Sequence, residues 1–289
     1  MTKVLQGKIA VITGSASGIG RATAIAFAAQ GAVVVGGDLN SEGGEETAEI
    51  CRAQGMDAAF VETDVTDQRQ VERLMAKAAD QFGGLDILYN NAGFNGAIGP
   101  LETIPVEDWD KSLSIGLRSV FLGIRAAVPL LRARGGGAIV STSSLAARRG
   151  IRGMPAYCAA KAGVVSLTQS AAIELAEDGI RVNCVCPGDI MTPLRASPLP
   201  PEELEAQLAR LQPIQRTGRP DDVAQAVMFL ASDAAGFITG IALDVDGGAL
   251  SGLWSYTGPS QHAHIRTKGF LGPSYLRKRA VEEASAAAD

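Results

Sequence analysis

KIAVITGSASGIGRATAIAFAAQ, residues 8–30, runs from an unbroken apolar stretch through a glycine-rich turn into a segment with helical periodicity. Gly14, Gly18 and Gly20 stand in the spacing GxxxGxG between a predicted strand and a predicted helix. At such a junction free backbone amides and the positive helix end converge, and the missing Cβ atoms let a pyrophosphate approach. A turn that only needs left-handed residues would use the same glycines. Asp38 closes the next apolar run, AVVVGGD. A carboxylate there accepts both ribose hydroxyls of NAD and repels the 2′-phosphate of NADP. Neither Ser15 nor Leu39 supplies a cation for that phosphate, and the competing role for Asp38 is to cap the helix starting near Ser41.

Working outward, apolar runs that fit buried parallel strands recur as AAFVETD, LDILYNNAG, GAIVSTSS, IRVNCVCPG and IALDVDGG. Helical patterns begin near Gly18, Ser41, Asp67, Val106, Met154 and Asp221. The alternation predicts an α/β fold with a doubly wound parallel sheet and helices on both faces. It is expected to be one domain over residues 1–250, since no composition break interrupts it. The stretch SPLPPEELEAQLARLQP breaks the rhythm after the sixth strand, and residues 189–213 are expected to form a substrate lid.

The 289 residues are 46% hydrophobic, enough for one large core. The formal charge of -5 is spread along the chain, so no basic stripe invites nucleic acid. No window is expected to reach the roughly 18 apolar residues of a membrane span, and a soluble cytoplasmic protein is expected. Cys51, Cys158, Cys184 and Cys186 form no CxxC pair, and His262 and His264 lie in the tail, so no metal site is expected.

Tyr157 and Lys161 stand four residues apart in AYCAAKAGVVSLTQS, with Ser144 upstream. On a helix this spacing puts the phenol and the ammonium on one face, where a lysine can favour the phenolate. A half-buried helix tyrosine and a strand-end serine cap are the bland readings of the same residues.

TGSASGIG at 13–20, NNAG at 90–93, Ser144, the YxxxK pair Tyr157/Lys161 and PGDIMT at 187–192 together resemble the short-chain dehydrogenases/reductases, over about residues 5–249. The resemblance implies a Rossmann-type sheet of seven strands and a homotetramer or homodimer built on helices near 107–133 and 154–178. It implies NAD bound along Gly14, Ser17, Gly18, Ile19, Gly20, Asp38 and Leu39. Asp64 and Val65 would lie beside the adenine, and Asn90 beside the adenosine ribose, with Asn91, Ala92 and Gly93 following. Pro187, Gly188, Ile190 and Thr192 would meet the nicotinamide end together with Tyr157 and Lys161. Tyr157 becomes the general acid/base for a secondary alcohol or ketone, Ser144 holds the substrate oxygen, and the Lys161 ammonium together with the cationic nicotinamide of oxidised cofactor favours the phenolate of a phenol whose usual pKa is near 10.

One position departs from that pattern. Where the family usually has an asparagine that kinks a helix and holds a water beside the lysine, this chain has Gly116, and slowed turnover is expected. The alternative it opens is an NAD-binding sensor or structural protein. A 3-oxoacyl reductase preferring NADPH is disfavoured by Asp38. For the substrate, Arg148, Arg149 and Arg152 are candidates to meet a carboxylate or phosphate, against a reading as solvated surface arginines. Segment Phe94 to Gly99 and lid residues Met191, Leu194, Leu199 and Leu204 suggest a partly apolar pocket. Residues 251–289 are read as a C-terminal extension in which 251–276 are expected to form an irregular strap that crosses onto a neighbouring subunit and closes its pocket, against a reading as a loose tail with incidental aromatics.

Overall fold

The computed structural model describes residues 3–194 and 199–252. The expected strap therefore lies outside the described residues, apart from Ser251 and Gly252. Among the described residues seven strands are present: β1 (Ile9–Thr13), β2 (Val33–Asp38), β3 (Ala58–Glu62), β4 (Ile87–Asn90), β5 (Gly137–Thr142), β6 (Ile180–Pro187) and β7 (Ala242–Val245). They pair in parallel in the order β3-β2-β1-β4-β5-β6-β7. The order reverses between β1 and β4, which opens a crevice at the carboxyl ends of those two strands.

The helices are α1 (Gly18–Ala29), α2 (Ser41–Ala53), α3 (Gln68–Phe82), α4 (Val106–Leu113), α5 (Ser119–Ala133), α6 (Pro155–Leu175), α7 (Pro201–Leu208) and α8 (Pro220–Ala231). The six starts expected from the periodicity each lie within one residue of an observed start. Local chemistry explains the boundaries. Asn40 caps α2 through the Gly43 amide at 3.1 Å, and Asp67 caps α3 through the Arg69 amide at 2.8 Å. Gly83 ends α3 with φ 90, a conformation that costs glycine little. α7 falls inside the expected lid.

Successive strand residues feed opposite layers, as the two-residue period requires. Val11, Leu88, Ile139 and Val182 pack into one core with α3, α5 and α6 residues such as Leu74, Leu131 and Val164. Ala10, Ile12, Tyr89, Val140 and Val185 pack into the other with Phe27 of α1 and Val227 of α8. Burial on both faces is why the strands read as continuous apolar runs.

One expectation needs correction. A π turn, Ser114–Arg118, joins α4 to α5, so Val106–Ala133 forms a 28-residue helical stretch whose length and apolarity meet those of a membrane span. Val120, Leu122, Ile124, Ala127 and Leu131 of that stretch are buried in the core of this fold, which accounts for the apolar character.

Candidate active site

The crevice is lined first by the glycine turn. Gly14 and Gly18 have φ of 69° and 53°, the left-handed region where a side chain is strained. Gly20 serves packing instead: an added Cβ would overlap the Gly14 carbonyl and stand 2.7 Å from Asn91 Nδ2. Gly20→Ala is therefore expected to cost about 3 kcal/mol of stability, read by denaturant unfolding, and to abolish dinucleotide binding. Unchanged unfolding would show that the turn can relax.

β1 and β4 are fastened at their carboxyl ends. Thr13 Oγ1 accepts from the Asn91 and Ala92 amides at 3.0 and 3.1 Å, and Asn91 Nδ2 donates to the Thr13 and Gly14 carbonyls at 3.2 Å each. Asp38 is held in the same frame. Its Oδ2 accepts from the Ala16 amide and its Oδ1 from the Asn40 amide, both at 3.0 Å. The cap of α2 is Asn40, so the capping alternative for Asp38 fails. The guanidinium nearby, Arg21, is committed to the Ala16 and Gly43 carbonyls and to Glu46. Asp64 Oδ1 accepts from both the amide and the hydroxyl of Thr66 at 2.8 Å.

At the other end stand the serine, tyrosine and lysine. Ser144 follows β5, and its Oγ accepts from the Ala146 amide at 3.1 Å, which leaves the hydroxyl proton to donate elsewhere. Tyr157 and Lys161 share one face of α6, with Lys161 Nζ 5.7 Å from the phenol ring centroid. Nζ donates to the Thr142 carbonyl at 2.9 Å, and Ser143 Oγ donates to the Lys161 carbonyl at 2.8 Å.

The electrostatics differ from expectation. Burial raises the Tyr157 phenol above its ordinary 10, opposed by the Ser144 hydroxyl, and Lys161 is not among the causes. Burial also pushes the Lys161 ammonium down to about 8. Both groups are biased toward neutrality by the dry setting, so the lysine does not by itself make the phenol acidic.

The crevice is a cavity of about 880 Å³. All the site residues expected from the sequence line it except Gly20 and Asn90. Asn90 is 4% exposed and points into the fold, its Nδ2 3.4 Å from Ser141 Oγ and its amide pressed on Gly123 of α5. The reason is register: Asn90 is still inside β4, paired with Ser141. Phe94, Leu194 and Leu204 line the cavity, whereas Met191 and Leu199 do not. The three arginines do not line it either. Arg148 turns to β7, donating to the Ala242 carbonyl at 2.8 Å with Nε 3.5 Å from Asp244, and Arg149 and Arg152 are exposed.

Sequence reasoning missed Thr63, Lys111, Ile115, Ser143 and Met154, which also line the cavity. Lys111 and Ile115 were findable, since they stand four apart on the helix already singled out for Gly116. Among the described residues there is no cluster of three metal-ligating groups, and Cys51, Cys158, Cys184 and Cys186 are free thiols.

A nicotinamide dinucleotide fits these residues: a turn bare of Cβ atoms at a helix start, a carboxylate fixed at the next strand end, and a phenol with a buried lysine beyond. Comparison with known proteins agrees. A family model described as Enoyl-(Acyl carrier protein) reductase matches residues 14–249. The chain is 46% identical over 248 residues to the cis-4-hydroxycyclohexanecarboxylate dehydrogenase of Sinomonas cyclohexanicum, covering 86% of this chain and 98% of that one. It is 41% identical to the cyclohexanol dehydrogenase of Acinetobacter sp. (strain SE19), covering 86% and 96%. The crystal structure of carveol dehydrogenase from Mycobacterium avium in complex with NAD matches with a TM-score of 0.82 at 30% identity, covering 87% of this chain and all of that one.

Proposed function

The chain belongs to the short-chain dehydrogenase/reductase family and is an oxidoreductase of alcohols or ketones; from that premise we propose that it moves a hydride between NAD(H) and a secondary alcohol or ketone on a six-membered carbon ring. The observation that carries the reading is the convergence of Ser144, Tyr157 and Lys161 on the same cavity as the glycine turn and Asp38. The names of the cyclohexanol and hydroxycyclohexanecarboxylate dehydrogenases, with the apolar lining from Phe94, Ile98, Met154, Leu194 and Leu204, support a carbocyclic substrate.

The bound nicotinamide supplies the carbon that accepts or returns the hydride. The chain's own groups do the rest. Asp38 accepts the adenosine ribose hydroxyls, and the turn around Ser17–Ile19 receives the pyrophosphate at the start of α1. Lys161 holds the nicotinamide ribose. Ser144 donates to the substrate oxygen and orients it, while Tyr157 takes the hydroxyl proton in oxidation and returns it in reduction. Burial holds the phenol above its ordinary range, and the positive charge that oxidised cofactor would bring favours the phenolate.

Asp38 and the committed Arg21 favour NAD over NADP. The double substitution Asp38→Ser and Leu39→Arg keeps an acceptor for the Ala16 amide while supplying a cation. It is expected to raise the NADP-to-NAD ratio of kcat/KM by about a hundredfold. An unmoved ratio would reject Asp38 as the selecting residue.

The reading extends to the assembly: a homotetramer or homodimer built on α4–α6, where Phe121 and Ile173 expose 48% and 82% of their surface. Residues 1–250 are taken as the dinucleotide-binding domain, working in the cytoplasm. Mixing the protein with NAD and a panel of cyclic secondary alcohols, while following the absorbance of reduced nicotinamide, tests the function. No turnover of any, with NAD bound, would favour the sensor reading instead.

A further inference from the structure

The π turn at Ser114–Arg118 is the one place where the long helix beside the site leaves α-helical geometry. There the Ser119 amide reaches back to the Ser114 carbonyl, so the Ile115 carbonyl loses its usual partner four residues on. The Ser119 hydroxyl takes that carbonyl at 2.6 Å, and the turn is satisfied from within the helix. Gly116 sits buried at its centre.

An ideal Cβ on Gly116 would stand 2.9 Å from the Ala160 Cβ, which among the described residues is its one close neighbour outside its own helix. Carbon atoms in contact prefer separations of about 3.5 to 4.0 Å, so even a methyl group requires movement. Ala160 cannot retreat into solvent, since it is 1% exposed in the middle of α6. The next residue is Lys161, itself held at both ends, Nζ to the Thr142 carbonyl and its own carbonyl to Ser143 Oγ. A side chain at 116 would therefore meet α6 at the residue just before the lysine.

We propose that Gly116 is a positioning residue: its lack of a side chain lets the π turn close on Ala160 and thereby sets where Lys161 stands relative to Tyr157. The inference rests on the function proposed above and reverses the expectation drawn from the sequence. Gly116 is one half of a fitted pair with Ala160, and an amide at 116 harms the site.

A double-substitution cycle tests it, with melting midpoints, kcat against pH and solvent isotope effects measured on the whole chain with NAD and cyclohexanol. Gly116→Ala and Gly116→Asn are each expected to lower kcat about tenfold or more, because displacing a reacting group by about 1 Å can cost a hundredfold. Both are expected to displace the pH profile of kcat, which a merely structural role would leave in place. Adding Ala160→Gly to Gly116→Ala makes room for the methyl group and is expected to recover most of the lost rate and melting midpoint. Should Gly116→Ala fail to fold, the same second substitution is expected to restore folding. The inference is overturned if Gly116→Asn matches or exceeds the natural chain, or if Ala160→Gly gives no recovery in either readout. Absence of turnover by the natural chain would instead reject the proposed function, while the coupling between 116 and 160 would still be read from the melting midpoints.

Discussion

Tyr157→Phe is expected to lower kcat/KM for alcohol oxidation by about 10² to 10⁴-fold while leaving NAD affinity close to that of the natural chain. The range is what a positioned acid/base contributes. The substitution removes one oxygen and nothing that the fold leans on, since the half-buried ring keeps its place on α6. In the proposed mechanism binding survives because the glycine turn, Asp38 and Lys161 hold the dinucleotide. The pH dependence follows from the raised phenol. Oxidation needs the deprotonated oxygen, so its rate in the natural chain rises with pH until the cofactor-bound phenol has titrated, and reduction falls over the same interval. Oxidation of a genuine substrate by Tyr157→Phe at an undiminished rate would remove the phenol from the mechanism.

Lys161→Met is expected to abolish detectable turnover and to change how stability depends on pH. In the folded chain the ammonium titrates at about 8, against an ordinary 10.5. Below the folded value both states carry the proton, and the full cost of burying the charge is borne. Between the two values the unfolded chain binds more protons than the folded one, so stability rises with pH across that window. The methionine variant lacks this term. Relative to it, the natural chain should gain on the order of 3 kcal/mol between pH 8 and pH 10.5. The lost hydrogen bond to the Thr142 carbonyl offsets part of the variant's advantage near neutral pH but does not alter the slope. Parallel stability curves for the two proteins would show that the buried amine is not desolvated as the geometry implies.

Much of this molecule was legible in its residues because its two strongest signals are local. A strand buried on both faces must be apolar throughout, and a helix that begins after a glycine turn needs particular residues at particular spacings, so all seven strands and six helix starts could be read directly. The i, i+4 relation of Tyr157 and Lys161 follows from helical pitch alone. Asp38 could be located at a strand end, yet only the structure removed its capping role, because the capping oxygen belongs to Asn40, two residues on.

The misreadings share a cause. Arg148 looked available on a loop, but its partners are the Ala242 carbonyl and Asp244 on a strand far along the chain. The resemblance set Asn90 beside the adenosine ribose, but pairing with Ser141 and contact with Gly123 keep it inside the sheet. The amine was expected to favour the phenolate jointly with the charge of oxidised cofactor, and on its own it does not. Burial, which no local spacing reveals, acts more strongly on both.

What the residues determined alone was therefore the class of fold, the glycine turn between β1 and α1 and the placing of Tyr157 and Lys161 on one helix face. These depend on period, backbone freedom and side-chain type, which the chain carries locally. What only tertiary structure decided was the clearance between Gly116 and Ala160, the direction of Arg148 and Asn90, and the charge bias of Tyr157 and Lys161. Those are distances and desolvation between segments remote in the chain, and they take values only once the helices have packed against the sheet.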